Sequence, residues 1–280
     1  EIKAFIPKEY WTVDCVMKKD RKKFPIKLVS KDNKKIEITN KEEADLIIKD
    51  LEGNDFIIKG EKKFKVEADF LKDVKENCLI FSGIKTNCLE EMMNHCKKNI
   101  NFLMNDESVI KENSIITVEG IISDIITNTD ITINKSKVLV IGYGNIGSYL
   151  TKVLNDLKAL VSVSLILDKD KNSLDKLKIN SVYSNDISSM CRVISESDII
   201  INTVPQTILR ERELKHIDAE ALLIDLASSP GGIDGKMAKS MGLNFIWALA
   251  LPGRIAPSSS AKFIKDTVYT IIEEMSKRVE

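Results

Sequence analysis

At 280 residues the chain is long enough for roughly two domains, each with its own core. Its 42 basic and 42 acidic residues cancel, which removes any general electrostatic attraction to nucleic acid or to an anionic membrane. No apolar run approaches the ~20 residues that span a bilayer, and the start lacks a signal-type apolar core, so a soluble, intracellular protein is expected, with no membrane and no nucleic-acid partner.

The cysteines, Cys15, Cys78, Cys88, Cys96 and Cys191, are odd in number and scattered without a CxxC pair. They read as reduced thiols, and neither a metal site nor a disulfide framework is expected. The chain begins at Glu1 without a methionine, and a few residues are expected ahead of it.

In the first half, lysine-rich segments alternate with candidate strands at Ile2 to Ile6, Ile26 to Val29, Asp45 to Ile48, Asp55 to Ile58 and Cys78 to Phe81. The pattern predicts a smaller N-terminal α/β domain over residues 1–116. The lysine runs, Lys18 to Lys23 and Lys31 to Lys35, read as a solvated surface, because acidic residues elsewhere balance them. Cys88, Leu89, Met92, Met93 and Cys96 share a candidate helix in a pattern that usually means core. His95 and His216 sit in charged helical settings and are expected to be exposed.

Val118, Ile121, Ile122, Ile125 and Ile126 form a narrow apolar face at helical spacing, with Thr117 as N-cap and Glu119 in the first turn. A connecting helix over 117–134 is expected. Next comes Lys137-Val-Leu-Val-Ile-Gly-Tyr-Gly-Asn-Ile-Gly147, an apolar run that turns into an amphipathic helix through glycines at GxGxxG spacing. Gly142 permits the tight turn, Gly144 lets backbone approach a pyrophosphate, and Gly147 lets the helix pack on the strand; Tyr143, Asn145 and Ile146 complete the loop.

Further strands are expected at Leu160 to Leu167, Asp198 to Ile201, Ala221 to Leu226 and Leu243 to Trp247, separated by helical or polar stretches. That alternation predicts a Rossmann-type, doubly wound parallel sheet over 135–256. Phe263, Ile264, Thr267, Val268, Ile271, Ile272 and Met275 mark one face of a terminal helix over 257–280, expected to pack back toward the N-terminal domain, with docking on its own sheet as the alternative.

Ligands of open parallel sheets bind beyond the carboxyl ends of the strands. The loops there are Asn202-Thr-Val-Pro205, Asp225-Leu-Ala-Ser-Ser-Pro-Gly-Gly232 and Leu251-Pro-Gly-Arg-Ile-Ala-Pro257. Thr203, Val204, Pro205 and Ala227 are therefore expected at the cofactor. An acidic residue about 20 positions past the glycines would bind an adenosine ribose, and Asp168 lies slightly late for that role. Lys169 and Lys171 could instead reach a phosphate, so NAD and NADP both remain open.

Taken together, Cys78-Leu-Ile-Phe-Ser-Gly-Ile84, Asn113-Ser-Ile-Ile-Thr-Val-Glu-Gly120, the glycine turn and the loops at 225–232 and 251–257 resemble the family of dipicolinate synthase A subunits. The likeness runs from about residue 76 to the end, in the family's order. That family usually opens with its own strand and glycine turn, whereas here Ile2 to Pro7 leads into Lys8-Glu-Tyr.

The resemblance implies oxidation of dihydrodipicolinate to dipicolinate with hydride passing to a nicotinamide. It also implies a partner, the B subunit of dipicolinate synthase, and the mother-cell cytoplasm of a sporulating bacterium as the setting; a homo-oligomer is a further option. A substrate with two carboxylates needs donors or positive charge on both sides. Candidates are the Ser82-Gly83 turn, Asn113, Ser114, Thr117, Ser228, Ser229 and Arg254, the last as a carboxylate fork or as a surface arginine.

Glu119 is the candidate for proton transfer or for orienting the nicotinamide amide; a glutamate favoured by the helix dipole explains it equally well. A 2-hydroxyacid dehydrogenase has similar architecture, but it needs an arginine where Ser228-Ser229 stands and a histidine where Pro252-Gly253-Arg254 stands. A nucleotide-binding regulatory protein, with the chemistry in a partner, is the other alternative.

Overall fold

The structure, a computed structural model, describes residues 80–277 except 84, 86, 98, 229 and 230, and ahead of them the strands that follow. They are β1 (Ile2–Ile6), β2 (Trp11–Cys15), β3 (Ile26–Ser30), β4 (Lys35–Glu37), β5 (Asp55–Ile58) and β6 (Lys62–Lys65). The chain divides into two compact units, one of Glu1–Glu107 with Thr267–Glu280 and one of Ser108–Asp266.

In the first unit, β1 to β4 form an antiparallel sheet in sequence order, and β5 and β6 pair as a hairpin. The strand expected at Asp45 to Ile48 lies outside the described residues. β7 (Ile80–Ser82) and β8 (Ile100–Phe102) are parallel and joined by α1 (Asn87–Cys96), so this part is a βαβ crossover. Leu89 is buried and His95 exposed on α1; the side chains of Cys88, Met92 and Cys96 lie outside the described residues.

In the second unit, a parallel sheet has the order β11-β10-β9-β12-β13-β14. Its strands are β9 (Lys137–Ile141), β10 (Leu160–Leu165), β11 (Asn180–Tyr183), β12 (Ile199–Asn202), β13 (Leu222–Asp225) and β14 (Asn244–Trp247). This is the doubly wound order in which the chain reverses direction beside β9 and opens a ligand crevice at the strand ends.

Val138, Val140, Ile199, Ile201, Leu222 and Ile224 face one core with α2 (Glu107–Asn128) and α3 (Asn145–Asp156). Leu139, Ile141, Ile200 and Leu223 face the other, with α5 (Ile187–Ser195), α6 (Glu211–Leu214) and α7 (Gly235–Ser240). Burial on both faces makes these strands continuous apolar runs. β11 is not among the strands expected from sequence, because it is an edge strand that buries only Val182. α4 (Lys171–Lys176) precedes it, and α8 (Leu251–Ile255) and α9 (Pro257–Lys277) close the chain. Among the described residues, no helix is long and apolar enough to cross a membrane.

One correction concerns α2. It starts at Glu107 and ends at Asn128, so Thr117 is no N-cap: it sits mid-helix, where its Oγ1 donates to the Asn113 carbonyl (2.7 Å). The Asn-Ser-Thr content that reads as a helix start is overruled by burial of Val109, Ile116 and Val118 on the same helix. Glu119 accordingly lies far from the first turn and is exposed, which removes the dipole explanation for it.

Ile121 and Ile125 are fully buried in one core with residues of β9 and β12, so α2 contributes to the second unit's core. Ile121→Ala should cost about 2–5 kcal/mol, read as a lower urea midpoint, and an unshifted midpoint would show that α2 does not pack there.

Candidate dinucleotide site

β9 is followed at once by a turn whose geometry demands glycine. Gly142 has φ +96°, and a Cβ on it would stand 2.6 Å from both Thr203 Oγ1 and Val204 Cγ2. A Cβ on Gly147 would stand 2.2 Å from the Gly142 carbonyl oxygen, so the first turn of α3 lies directly on the backbone that leaves the strand. Gly144 differs, because a Cβ there would meet nothing within 4 Å. It points into a cleft of about 460 Å³ lined by the Gly142–Gly147 turn, Leu165 to Leu167, Asp170 and Thr203 to Pro205. The opening N–H groups of α3 have no intrahelical acceptors and carry the positive end of the helix dipole.

The opposite wall is Thr203-Val204-Pro205, beyond β12. Thr203 donates both its backbone N–H and its Oγ1 to the Ile141 carbonyl (2.9 Å each), which ties this wall to the glycine turn. Asn202 and Asp225, ends of adjacent strands, are buried and bonded to each other: Asn202 Nδ2 donates to Asp225 Oδ1 at 2.8 Å. Asp225 also accepts from the N–H groups of Ala227 (3.0 Å), Gly232 (2.8 Å) and Ile233 (3.0 Å). Sequence reasoning misses both residues as individuals, although it singles out the loops containing them.

The expected cofactor residues Gly142, Tyr143, Gly144, Asn145, Ile146, Gly147, Thr203, Val204 and Pro205 all line this one cleft. Burial, and secondarily the charge of Asp170, pushes the Tyr143 phenol above its ordinary pKa, so it stays protonated. Two of the expected residues lie off this lining. Asp168 is not on the lining; β10 ends at Leu165 and a short 3-10 turn at Asp168–Asp170 carries the Asp168 carboxylate to the Tyr183 hydroxyl, leaving Asp170 on the cleft. Ala227 is buried instead of lining, its N–H bonded to Asp225 and its carbonyl taken by Trp247 Nε1 (2.8 Å). Sequence reasoning misses Asp170; Ile166 and Leu167, which it reads as the end of a strand beside the cofactor, form the exposed lip.

The expected chemical residues are off this lining, the Ser82-Gly83 turn on the first unit and the others on the second. Asn113 is half-buried on α2 and Ser114 donates to the Ile110 carbonyl (2.7 Å). Arg254 is half-exposed on α8 and faces Asp124 at 3.6 Å, an ion pair that occupies the group expected to fork a carboxylate. Among the described residues, the second Asp124 oxygen is buried without a hydrogen-bond partner. Ser228 is exposed at the β13 loop, Ser229 lies outside the described residues, and His216 is exposed.

These residues suit a pyridine dinucleotide: a glycine with open space, a helix start behind it, and a cleft with an apolar lip at the strand ends. Similarity to known proteins agrees with that fit. The sequence profile of the D-isomer specific 2-hydroxyacid dehydrogenase, NAD binding domain matches residues 121–231. The dipicolinate synthase A subunit of Bacillus subtilis (strain 168) is 30% identical over 210 residues, which are 75% of this chain and 70% of that protein. The crystal structure of the dipicolinate synthase A chain from Bacillus subtilis superposes with a TM-score of 0.71 at 29% identity, covering 78% of this chain and 72% of that one. That of the dipicolinate synthase A subunit from Bacillus halodurans gives 0.69 at 25% identity over 78% and 74%.

Two glycines separate fold from binding. Gly144 has φ −76° and ψ −162°, which alanine adopts freely, so Gly144→Ala should fold normally and weaken dinucleotide binding by about tenfold, ~1.4 kcal/mol, as its methyl enters the cleft. Unchanged affinity in a fluorescence titration would remove the pyrophosphate from this turn. Gly147→Ala should instead lower stability by about 1–3 kcal/mol through collision with Gly142.

Proposed function

Because the chain belongs to the family of dipicolinate synthase A subunits, we propose that it oxidises dihydrodipicolinate to dipicolinate, with NAD or NADP held on the glycine turn. The observation that carries this reading is the cleft between the Gly142–Gly147 turn and the Thr203–Pro205 wall, in a chain 30% identical to a dipicolinate synthase A subunit. The nicotinamide ring, when bound, accepts the hydride. Loss of that hydride and of one proton turns the dihydropyridine into an aromatic pyridine, so the step is downhill and depends on orientation more than on a strong base.

The chain's own residues supply that orientation. Asn244 Nδ2 donates to the Asn128 carbonyl (3.3 Å) at the entry end of β14, and Gly120 packs on Leu251 and Ile255 past its exit end. α2 therefore runs against the strands, and Asn113, Thr117 and Glu119 stand at or beyond the exit edge, where ligands of such sheets bind. In this reading the exposed Glu119 carboxylate takes the proton, and the Asn113 amide binds a carboxylate. Arg254 joins them only by leaving Asp124.

A second reading follows from several expected chemical groups being engaged internally, the Ser114 and Thr117 hydroxyls with carbonyls of their own helix and the Arg254 guanidinium with Asp124. Here the chain holds the dinucleotide and chemistry waits for a partner, the B subunit that the relatives' name implies.

The isolated chain given dihydrodipicolinate and dinucleotide should produce reduced nicotinamide; binding without turnover, rescued by the B subunit, would favour the second reading. Glu119→Gln should slow turnover by about a hundredfold, the scale of one general acid–base group, with dinucleotide affinity at the wild-type level. A variant that turns over at full rate would leave Glu119 as a surface residue.

A further inference from the structure

The wall formed by Thr203, Val204 and Pro205 lies beyond the last residue of β12, and the backbone bond to the end of β9 reaches only Thr203. What holds Val204 is the side chain of Asn202. The Val204 N–H donates to Asn202 Oδ1 (3.2 Å), and Asn202 Nδ2 donates back to the Val204 carbonyl (2.9 Å). The same Nδ2 donates to Asp225 Oδ1 (2.8 Å), which is itself fixed by three backbone N–H groups of the loop after β13. Only one orientation of the Asn202 amide meets two acceptors on the nitrogen side and one donor on the oxygen side. Gly232 closes the arrangement, since a Cβ there would stand 2.0 Å from Asn202 Nδ2 and 2.5 Å from the Val204 carbonyl.

Asn202 is 0% and Asp225 1% exposed, and neither lines the cleft, so neither touches a ligand there. Yet Val204 both lines the cleft and stands 2.6 Å from the place a Gly142 Cβ would occupy, so a shift of Val204 moves the wall and crowds the turn together. We infer that Asn202, held in place by Asp225, is a positioning residue that sets where Val204 and Pro205 stand against a dinucleotide on the glycine turn. This rests on the dinucleotide reading above and adds to it a buried determinant of affinity outside the site.

The test compares wild type, Asn202→Ala and Asp225→Asn, which cut the relay at either end, with Glu213→Gln as control. Glu213 is also buried but caps α6, accepting from Arg210 N–H (3.0 Å) and Arg212 Nε (2.7 Å). Each protein is titrated with reduced dinucleotide and melted. Asn202→Ala should bind about tenfold more weakly while remaining folded, the scale of one or two lost hydrogen bonds, with turnover, where present, recovering at saturating dinucleotide. Glu213→Gln should melt earlier but bind at wild-type affinity. A folded Asn202→Ala or Asp225→Asn protein of wild-type affinity overturns the proposal, and so does unfolding of both, which would assign the pair to stability alone. If wild type itself binds no dinucleotide, the underlying reading fails first, which is a distinct result.

Discussion

A buried amide and a buried carboxylate, side by side on neighbouring strands, govern the exit edge of the sheet. Asn202 and Asp225 are register partners across β12 and β13. A carboxylate that is 1% exposed costs several kcal/mol unless its oxygens are met by donors, and Asp225 has four: the Asn202 amide and the N–H groups of Ala227, Gly232 and Ile233. The last two bring Gly232 and Ile233 back to the end of β13. That is why Gly231 sits at φ +89° and why position 232 has no room for a side chain. Trp247, the partner of Asp225 on β14, then fastens the same loop through the Ala227 carbonyl.

This constraint meets a second one at Thr203 and Val204. The glycine turn is fixed from below by Gly142 N–H on the Ser164 carbonyl (2.9 Å) and from the side by Gly147, so its path cannot relax. Thr203 bonds the residue just before that turn, and Val204 hangs from Asn202. The cleft thus has one wall set by backbone contact with α3 and another set by a polar relay across the strand ends. Neither depends on the loops' own rigidity, which is how short Pro- and Gly-rich segments hold a defined shape.

Much of the second unit is legible in the sequence because its strands are buried on both faces. Val138 to Ile141 and Leu222 to Ile224 read as strands for the same reason that they form the core. β11 escapes because an edge strand buries one residue and exposes another, and hydrophobic pattern reports only burial. Helix ends escape where lysine takes a left-handed turn usually given to glycine: Lys158 at φ 66° and Lys178 at φ 56° end α3 and α4 with no stop signal. Within the site, the glycines are legible because their spacing encodes backbone geometry. Ile166 and Leu167 read as strand because apolar residues signal burial, whereas here they form the exposed lip of a cleft. Asp168 is misplaced because counting along the chain ignores the 3-10 turn that swings it toward Tyr183. Asn202 and Asp225 look like ordinary strand terminators; their roles exist only once β12 and β13 lie in register.

α2 shows why the chemical residues are harder to place than the glycines. Its C-terminal half is fixed by core contacts: Ile121 and Ile125 are fully buried, and Gly120 brings Leu251 and Ile255 to within 3.1 Å of its missing Cβ. Asp124, on the same half, faces Arg254 at 3.6 Å, so the pair is held by charge rather than by close geometry. The N-terminal half bonds within itself through Ser114 and Thr117, which meets the needs of those hydroxyls, and Glu119, just past the middle of the helix, is exposed. A hydroxyl that already donates to its own helix offers a ligand only its acceptor lone pairs, so the donors for an anionic substrate must come from amides or from a cation that changes partner. Sequence shows that such residues are present; whether their donors are free is decided by helix start and packing, which residue type alone does not encode.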